Sequence, residues 1–491
     1  PGERRGVRAQ VTRHAWRLEQ AGLEVFMRMS RHLIVSCTAI GALIACGDNK
    51  GGQEGGFAHG ETAAASAQGA TTPVTGQDAD GAMMDASGTD GATAGEATAG
   101  AATTAPAEPK FDLPVQPDFS AVGCEAGDVE FSYIWISNSP QGTVSKIDTR
   151  TRVEVARYRT GPEQAPDPSR TSVNLRGDVA VVNRAGSITK IWARIEDCED
   201  RNGNGKIDTS TGPGDVLPWG EDECVAWNTP LMFASRPAAW TSGTKTTDSN
   251  GCTIHVDPEV WTSAPDAKGN AVVYLLRGSD GKILDSTVLP GVDGGFGVYG
   301  GAVDAAGDFW GAAWSTGPLV HVRRADLSYE LIKVPDPKES FFTVYGFTLD
   351  HAGRAWVGGQ GSLQRYDPAT QTWVSAELPA IYTSLSRGMQ EDAHGHLWVA
   401  ALAQGILRVD TDSATFVELI DGATLKNLHY PAGISVDVDG KVWMVDTDAN
   451  GAHVLDPDTH AVEFVGGLDR PYTYSDMTGW ALKNVVGAPE G

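Results

Sequence analysis

Basic residues are scarce in this chain: 38 Lys and Arg stand against 63 Asp and Glu among 491 residues, a net charge of −25. Nucleic-acid binding needs a basic surface to meet phosphate, and an anionic membrane surface attracts the same charge, so the balance argues against nucleic acid and disfavours electrostatic adsorption to such a membrane. Long apolar runs are also missing. The longest, Leu33 to Ala45, has 13 residues, whereas a bilayer-spanning helix needs about 20. Heptad patterns are absent as well. In their place stand 59 glycines, 26 prolines and 14 tryptophans, a composition of many short strands and turns.

The N-terminal part reads as an address. From Met29 the sequence runs MSRHLIVSCTAIGALIAC, with Arg31 and His32 ahead of the apolar run and small residues before Cys46, the layout of a secretory signal. Its ending, Leu43-Ile44-Ala45-Cys46, resembles the bacterial lipobox, which implies that Cys46 carries the lipid and begins the mature protein. Several acyl chains on one residue suffice for stable anchoring. Residues 1–28, which open on Pro1, are read as an upstream extension and 29–45 as the signal peptide. Removing residues 1–45 leaves 31 basic and 60 acidic residues. Residues 46–110 are rich in Gly, Ala and Thr, with Phe57 as their aromatic. Such a segment cannot bury enough apolar surface to offset chain entropy, so a disordered tether is expected, with an end-to-end distance of roughly 40 to 50 Å.

Residues 111–491 carry a repeat. GAVDAAGDFW (301–310), read with Gly300 before it, GFTLDHAGRAW (346–356), GMQEDAHGHLW (388–398) and GISVDVDGKVW (433–443) share Gly, three residues, an acid, two residues, Gly, two residues and Trp. Trp310, Trp356, Trp398 and Trp443 are spaced 46, 42 and 45 apart, the period of four-stranded propeller blades. One such sheet cannot bury both faces, whereas radial stacking lets each Trp cover the next blade. Degenerate copies occur at 172–184, with Ala180 in the Trp place, and at 254–265, with Trp261. Blade one shows YIWISN, TVSKIDTR and VEVARYR, and its innermost strand is expected from TGWALKNVV (478–486) at the end of the chain. The fold expected is all-β: a seven-bladed β-propeller closed by a C-terminal strand, six or eight blades being also compatible.

The pattern GxxxDxxGxxW resembles the propeller of the virginiamycin B lyase (streptogramin lyase) family and, more loosely, the sensor propellers of two-component regulators. The lyase resemblance implies β-elimination on a cyclic lactone by a His base, supporting Glu residues and magnesium at the channel mouth. That family often ends its Trp strand in Trp-Phe-Thr-Glu. Here the residue three beyond the Trp place is Asn138, Asn183, Ala264, Ala313, Gly359, Ala401 or Asp446, never Glu. No histidine matches the family's base by motif. His429, before an inner strand, is the candidate acid or base, whereas His394 and His396 fall in an acid-Gly turn on the face opposite the usual ligand side.

Asn138, Asn183 and Asp446, on blades one, two and seven, become neighbours on ring closure, and Arg170, Arg184 and Asp448 join the same rim. Amide, carboxylate and guanidinium groups so placed suit a small polar ligand or an ion; capping of strand ends is the structural alternative. An insertion in blade two, about 197–224, contains Asp200, Asn202, Asn204, Gly205, Lys206, Ile207 and Asp208. This is the start of an EF-hand-type loop, with side-chain oxygens and the Lys206 carbonyl converging on calcium. Thr211 stands where a bidentate acid is needed, Asp215 or Glu223 being possible substitutes, and an Asx-rich turn is the alternative. Cys198 and Cys224 bracket the loop and are placed to form a disulfide. Cys124 and Cys252 either pair or stay free.

These readings describe an exported, lipid-anchored envelope protein, on the outer membrane or cell surface, monomeric, acting as a binding or scaffold module for a small polar ligand or an envelope protein. The alternative is a lyase-like enzyme opening a cyclic peptide, or acting on a carbohydrate, with magnesium.

Overall fold

The computed structural model describes residues 132–247, 253–340 and 342–486. The signal segment, Cys46, the tether, Cys124 and Cys252 lie outside the described residues. Among the described residues, seven antiparallel blade sheets follow one another along the chain, with one further two-stranded hairpin, and the fold is a seven-bladed β-propeller. Blade one has three strands, Tyr133–Asn138, Thr143–Asp148 and Glu154–Arg159. The other six have four each, and their innermost strands are Pro168–Val173, Arg236–Trp240, Val298–Val303, Gly346–Leu349, Ser386–Glu391 and Pro431–Val436. Inner strands are almost wholly buried, whereas an outermost strand such as Tyr329–Ile332 is largely exposed.

Each letter of the repeat has a physical task. The acid folds its own turn: one oxygen of Asp350, Asp392 and Asp437 accepts the backbone N–H groups two and four residues on. The other oxygen accepts the indole N–H of the Trp six residues on, at 2.9 Å in Asp350–Trp356 and 2.8 Å in Asp392–Trp398 and Asp437–Trp443. The second glycine takes a left-handed φ, 73° at Gly353 and 74° at Gly395, where a Cβ is penalised. The first glycine is needed for strand approach. A Cβ on Gly346 would lie 1.9 Å from the Arg387 carbonyl oxygen, and one on Gly433 2.1 Å from that of Thr473. As expected, the tryptophans cross to the next blade: Trp310 packs with Phe347 and Val357, Trp356 with Met389 and Val399, and Trp398 with Ile434 and Met444.

Two local expectations are corrected. The inner strand of blade three is Arg236–Trp240, not the start of the 254–265 copy; Thr253–Val256 pairs with Thr244–Thr247 in a separate hairpin. Burial explains the choice, since RPAAW is buried throughout and TKTT is exposed. At the C-terminus, Trp480–Val486 is not a strand but a helix, α1. Leu482 and Val485, three apart, supply its buried face, a helical period. Asp476 accepts the N–H groups of Gly479 (2.8 Å) and Leu482 (3.2 Å) at its start.

Ring closure is nonetheless C-terminal, and falls on residues 471–477. Asn138 bridges Pro471 antiparallel, Tyr472 N donates to Ser137 O (3.1 Å) and Trp135 N to Met477 O (2.9 Å). On its other flanks Arg170 bridges Tyr474, and Met477 N donates to Ser435 Oγ. α1 then crosses the end of the channel nearest the acid-Gly turns. Ala481, Leu482 and Val485 face Trp240, Val303 and Leu349 there, while the Trp480 indole donates to Glu391 O and Asn484 to the Glu391 carboxylate.

Candidate functional site

The opposite end of the channel gathers three arginines and five tyrosines. Arg170, Arg236, Tyr299 and Arg387 lie near the starts of inner strands, Tyr345 and Tyr430 just before such strands, and Tyr472 and Tyr474 on the closing segment. Arg170, Arg236 and Arg387 are 1%, 3% and 0% exposed. The Arg170 guanidinium carbon sits 4.3 Å from the Tyr474 ring and 4.6 Å from that of Tyr299. Arg387 lies 4.4 Å from Tyr430 and 5.3 Å from Tyr474, and Arg236 lies 4.7 Å from Tyr299. These are cation–π distances.

The tyrosine hydroxyls form a network: Tyr299 to Tyr472 (3.0 Å), Tyr345 to Tyr472 (2.9 Å) and Tyr345 to Tyr474 (3.2 Å). Burial pushes the Tyr474 phenol well above its usual value, although Arg387 pulls the other way, so the hydroxyl stays neutral and able to donate. Burial works against the Arg387 charge, the four tyrosine oxygens around it favour it, and the balance lies well above the ordinary arginine value. Phe296 stacks on Trp314 (4.3 Å), which meets Phe342 edge-on (5.3 Å) and lies 6.3 Å from Tyr299, extending the aromatic lining.

The residues proposed for the rim divide. Asn138, Asn183 and Asp446 are fully buried and no hydrogen bond among the described residues joins the three to one another. Asn138 donates to Ser145 Oγ and accepts from Asp469 N; Asn183 donates to Thr160 O and Ser187 Oγ. Asp446 accepts the N–H groups of His429 and Tyr430, both at 2.8 Å. They fasten loops. Arg184 pairs with Asp167 and lies 5.1 Å from the Tyr472 ring, beside Arg170 at 5.9 Å from the same ring. Asp448 is exposed and faces Arg470 at 3.5 Å. His429 is exposed next to Tyr430. His396 lies at the turn end of blade six, 3.5 Å from Asp392 and 2.9 Å from Arg408.

The insertion is stapled by a Cys198–Cys224 disulfide, as expected. Within it, Asn202 and Asn204 amides both donate to Asp208 (2.8 and 2.6 Å), and Lys206 pairs with the same carboxylate. Lys206 first, then the two amides, hold that carboxyl down at about 2. Asp200 accepts the N–H groups of Gly203, Asn204 and Gly205. Glu223 gives its oxygens to the backbone of Arg201, Asn202 and Asp208, and Asp215 accepts from Thr211, so both acids brace the loop. Elsewhere Asp304, Asp308 and His321 bring ligand atoms within 4.8 Å of one another. His321 stacks on Trp310 at 4.0 Å and meets Asp308 at 3.2 Å.

The arginine–tyrosine cluster was missed in the sequence except for Arg170. Its signal lies in the residue just ahead of the repeat's first glycine, as in Tyr345-Gly346 and Arg387-Gly388.

No protein-family model matches the chain, and no curated protein does. Among solved structures it is similar to virginiamycin B lyase from Staphylococcus aureus, at 17% identity over 63% of this chain and 88% of that one, TM-score 0.42. It is similar also to AztD from Citrobacter koseri (12%, 70% and 96%, TM-score 0.43) and to Kuenenia stuttgartiensis hydrazine synthase (10%, 69% and 93%, TM-score 0.44). These likenesses concern the propeller architecture alone.

Proposed function

We propose that this chain is an exported, lipid-anchored propeller that binds a small polar ligand at the arginine–tyrosine end of its channel and leaves it chemically unchanged. One observation carries the reading: α1 covers one end of the channel, while buried guanidiniums, tyrosine hydroxyls and the Phe296–Trp314–Phe342 aromatics converge on the other. Aromatic walls with a few converging polar groups are what a ligand pocket requires. Cys46 anchors the monomer to the envelope and the tether holds the propeller clear of it. The test is a thermal-shift screen of the full chain against small ring-bearing ligands, with streptogramin B and magnesium followed in parallel by mass spectrometry. Ligand at a hundredfold excess over Kd is expected to add about 2.7 kcal/mol, and Trp314→Ala to remove the shift. A linearised streptogramin product overturns this reading.

The blade-two loop holds a calcium ion in the same proposal. Asp200, Asn202, Asn204, Asp208 and the Lys206 carbonyl carry oxygens at the spacing of such a loop, and the hard cation takes six to eight such ligands. Chelation is expected to speed amide exchange across 200–208 and leave the blade cores protected. Loss of the whole fold on chelation, or exchange unchanged by calcium, sinks the assignment.

A further inference from the structure

We infer that the channel end holds a small monovalent anion, of halide or carboxylate size, in the cavity lined by Arg170, Tyr299, Tyr345 and Tyr474, with Arg387 as the second positive group. The inference rests on the reading of this end as the ligand site and specifies the chemistry it takes.

The donors are left over after every internal bond is made. Arg170 gives Nε to Tyr299 O (3.1 Å) and Nη1 to Ser169 O (2.8 Å), and its Nη2 is buried without an acceptor. Arg387 gives Nη1 to Pro431 O and Nη2 to Tyr345 Oη (3.3 Å), and its Nε is buried without an acceptor. Neither has a carboxylate partner among the described residues, although the chain carries 63 acids. A guanidinium cannot shed its proton to escape burial as a lysine can. Two such charges, each at most 1% exposed and set beside the neutral Tyr474 phenol, leave positive potential in a low-dielectric site. An anion satisfies it with charge-assisted hydrogen bonds. Water can accept the orphan hydrogens but supplies no charge.

Size narrows the class. The cavity has room for about one water-sized particle. That admits chloride, bromide or the end of a carboxylate and rejects a whole phosphate. Glycine at 300, 346 and 388 keeps this lining close-packed; a Cβ on Gly300 would lie 2.8 Å from Phe347 Cβ.

The experiment uses the full wild-type chain. Its thermal midpoint is measured in salt-free buffer and on titration with sodium bromide, acetate or phosphate at matched ionic strength, and crystals grown in bromide are examined by anomalous diffraction. A saturable rise with bromide or acetate, none with phosphate, and a bromide peak touching Arg170 are the expected results. Acetate binding more tightly than bromide supports the inference and identifies the anion as a ligand's carboxylate. Arg170→Met should weaken bromide at least tenfold and Arg387→Met less; should either variant fail to fold, the wild-type titration and diffraction decide. Water in the cavity at saturating bromide, with no midpoint dependence, overturns the inference. If ring-bearing ligands still bind at the mouth, the binding reading stands without the anion; if they do not, both fall.

Discussion

A chain ending at residue 470 is expected to lose the single cooperative unfolding transition of the propeller. Residues 471–477 supply the innermost layer of blade one, pairing with Ser137 and Asn138 on one side and reaching Arg170 and Ser435 on the others. Their removal exposes the edge of Tyr133–Asn138 and opens the ring between blades one and seven, the condition that closed propellers avoid. It also takes away Tyr472, Tyr474, and the helix α1 that buries Leu482 and Val485. Total stability of a folded domain is only about 5 to 15 kcal/mol, which leaves little margin against losing the closing segment and α1 together. Calorimetry and limited proteolysis check it: broad, low-temperature unfolding and cleavage within blade one are expected, and an unchanged sharp transition contradicts the closure described.

Trp398→Ala should lower unfolding free energy by about 3 to 5 kcal/mol. The side chain is fully buried among Ile434, Val442 and Met444 of the next blade, lies under Arg408 at 4.7 Å, and donates to Asp392 at 2.8 Å. Truncation therefore opens a cavity between two blades and strips a buried carboxylate of a donor. Burial would raise the Asp392 pKa, but bonds from His396, Trp398 and the turn backbone hold it below the ordinary aspartate value of 3.8. A depressed carboxyl contributes stability above pH 3.8 that is lost as pH falls through the folded value. The variant should lose part of that acid dependence too. Urea unfolding at neutral and acid pH measures both effects. Trp373→Ala, on the half-buried outer strand of blade five, is the control and should cost far less; equal losses would show that the shared Asp–Trp bond is not what matters.

The repeat was legible because its parts act locally. Asp392, Gly395 and Trp398 lie within seven residues and settle their turn and bond among themselves, so the period follows from spacing, whereas six, seven or eight blades were all compatible with it until the ring was seen closed. The Cys198–Cys224 staple was legible for a similar reason, since 26 residues separate its ends around a self-contained loop. The closing segment was located only to within a few residues. The strand and helix readings of 471–486 differ in which neighbours bury each side chain, and those neighbours are Ser137, Ser435 and Glu391.

For the arginine–tyrosine end, sequence alone determined the propeller that carries it, together with Arg170 as one rim residue. Tertiary structure decided that Arg170, Tyr299, Arg387 and Tyr474, spread over 300 residues of chain, meet within cation–π reach. It also turned Asn138, Asn183 and Asp446 to loop fastening. The physical reason is that a residue's place along a blade follows from local periodicity, whereas the groups it faces across the channel depend on closing the whole ring, a long-range event no local pattern records.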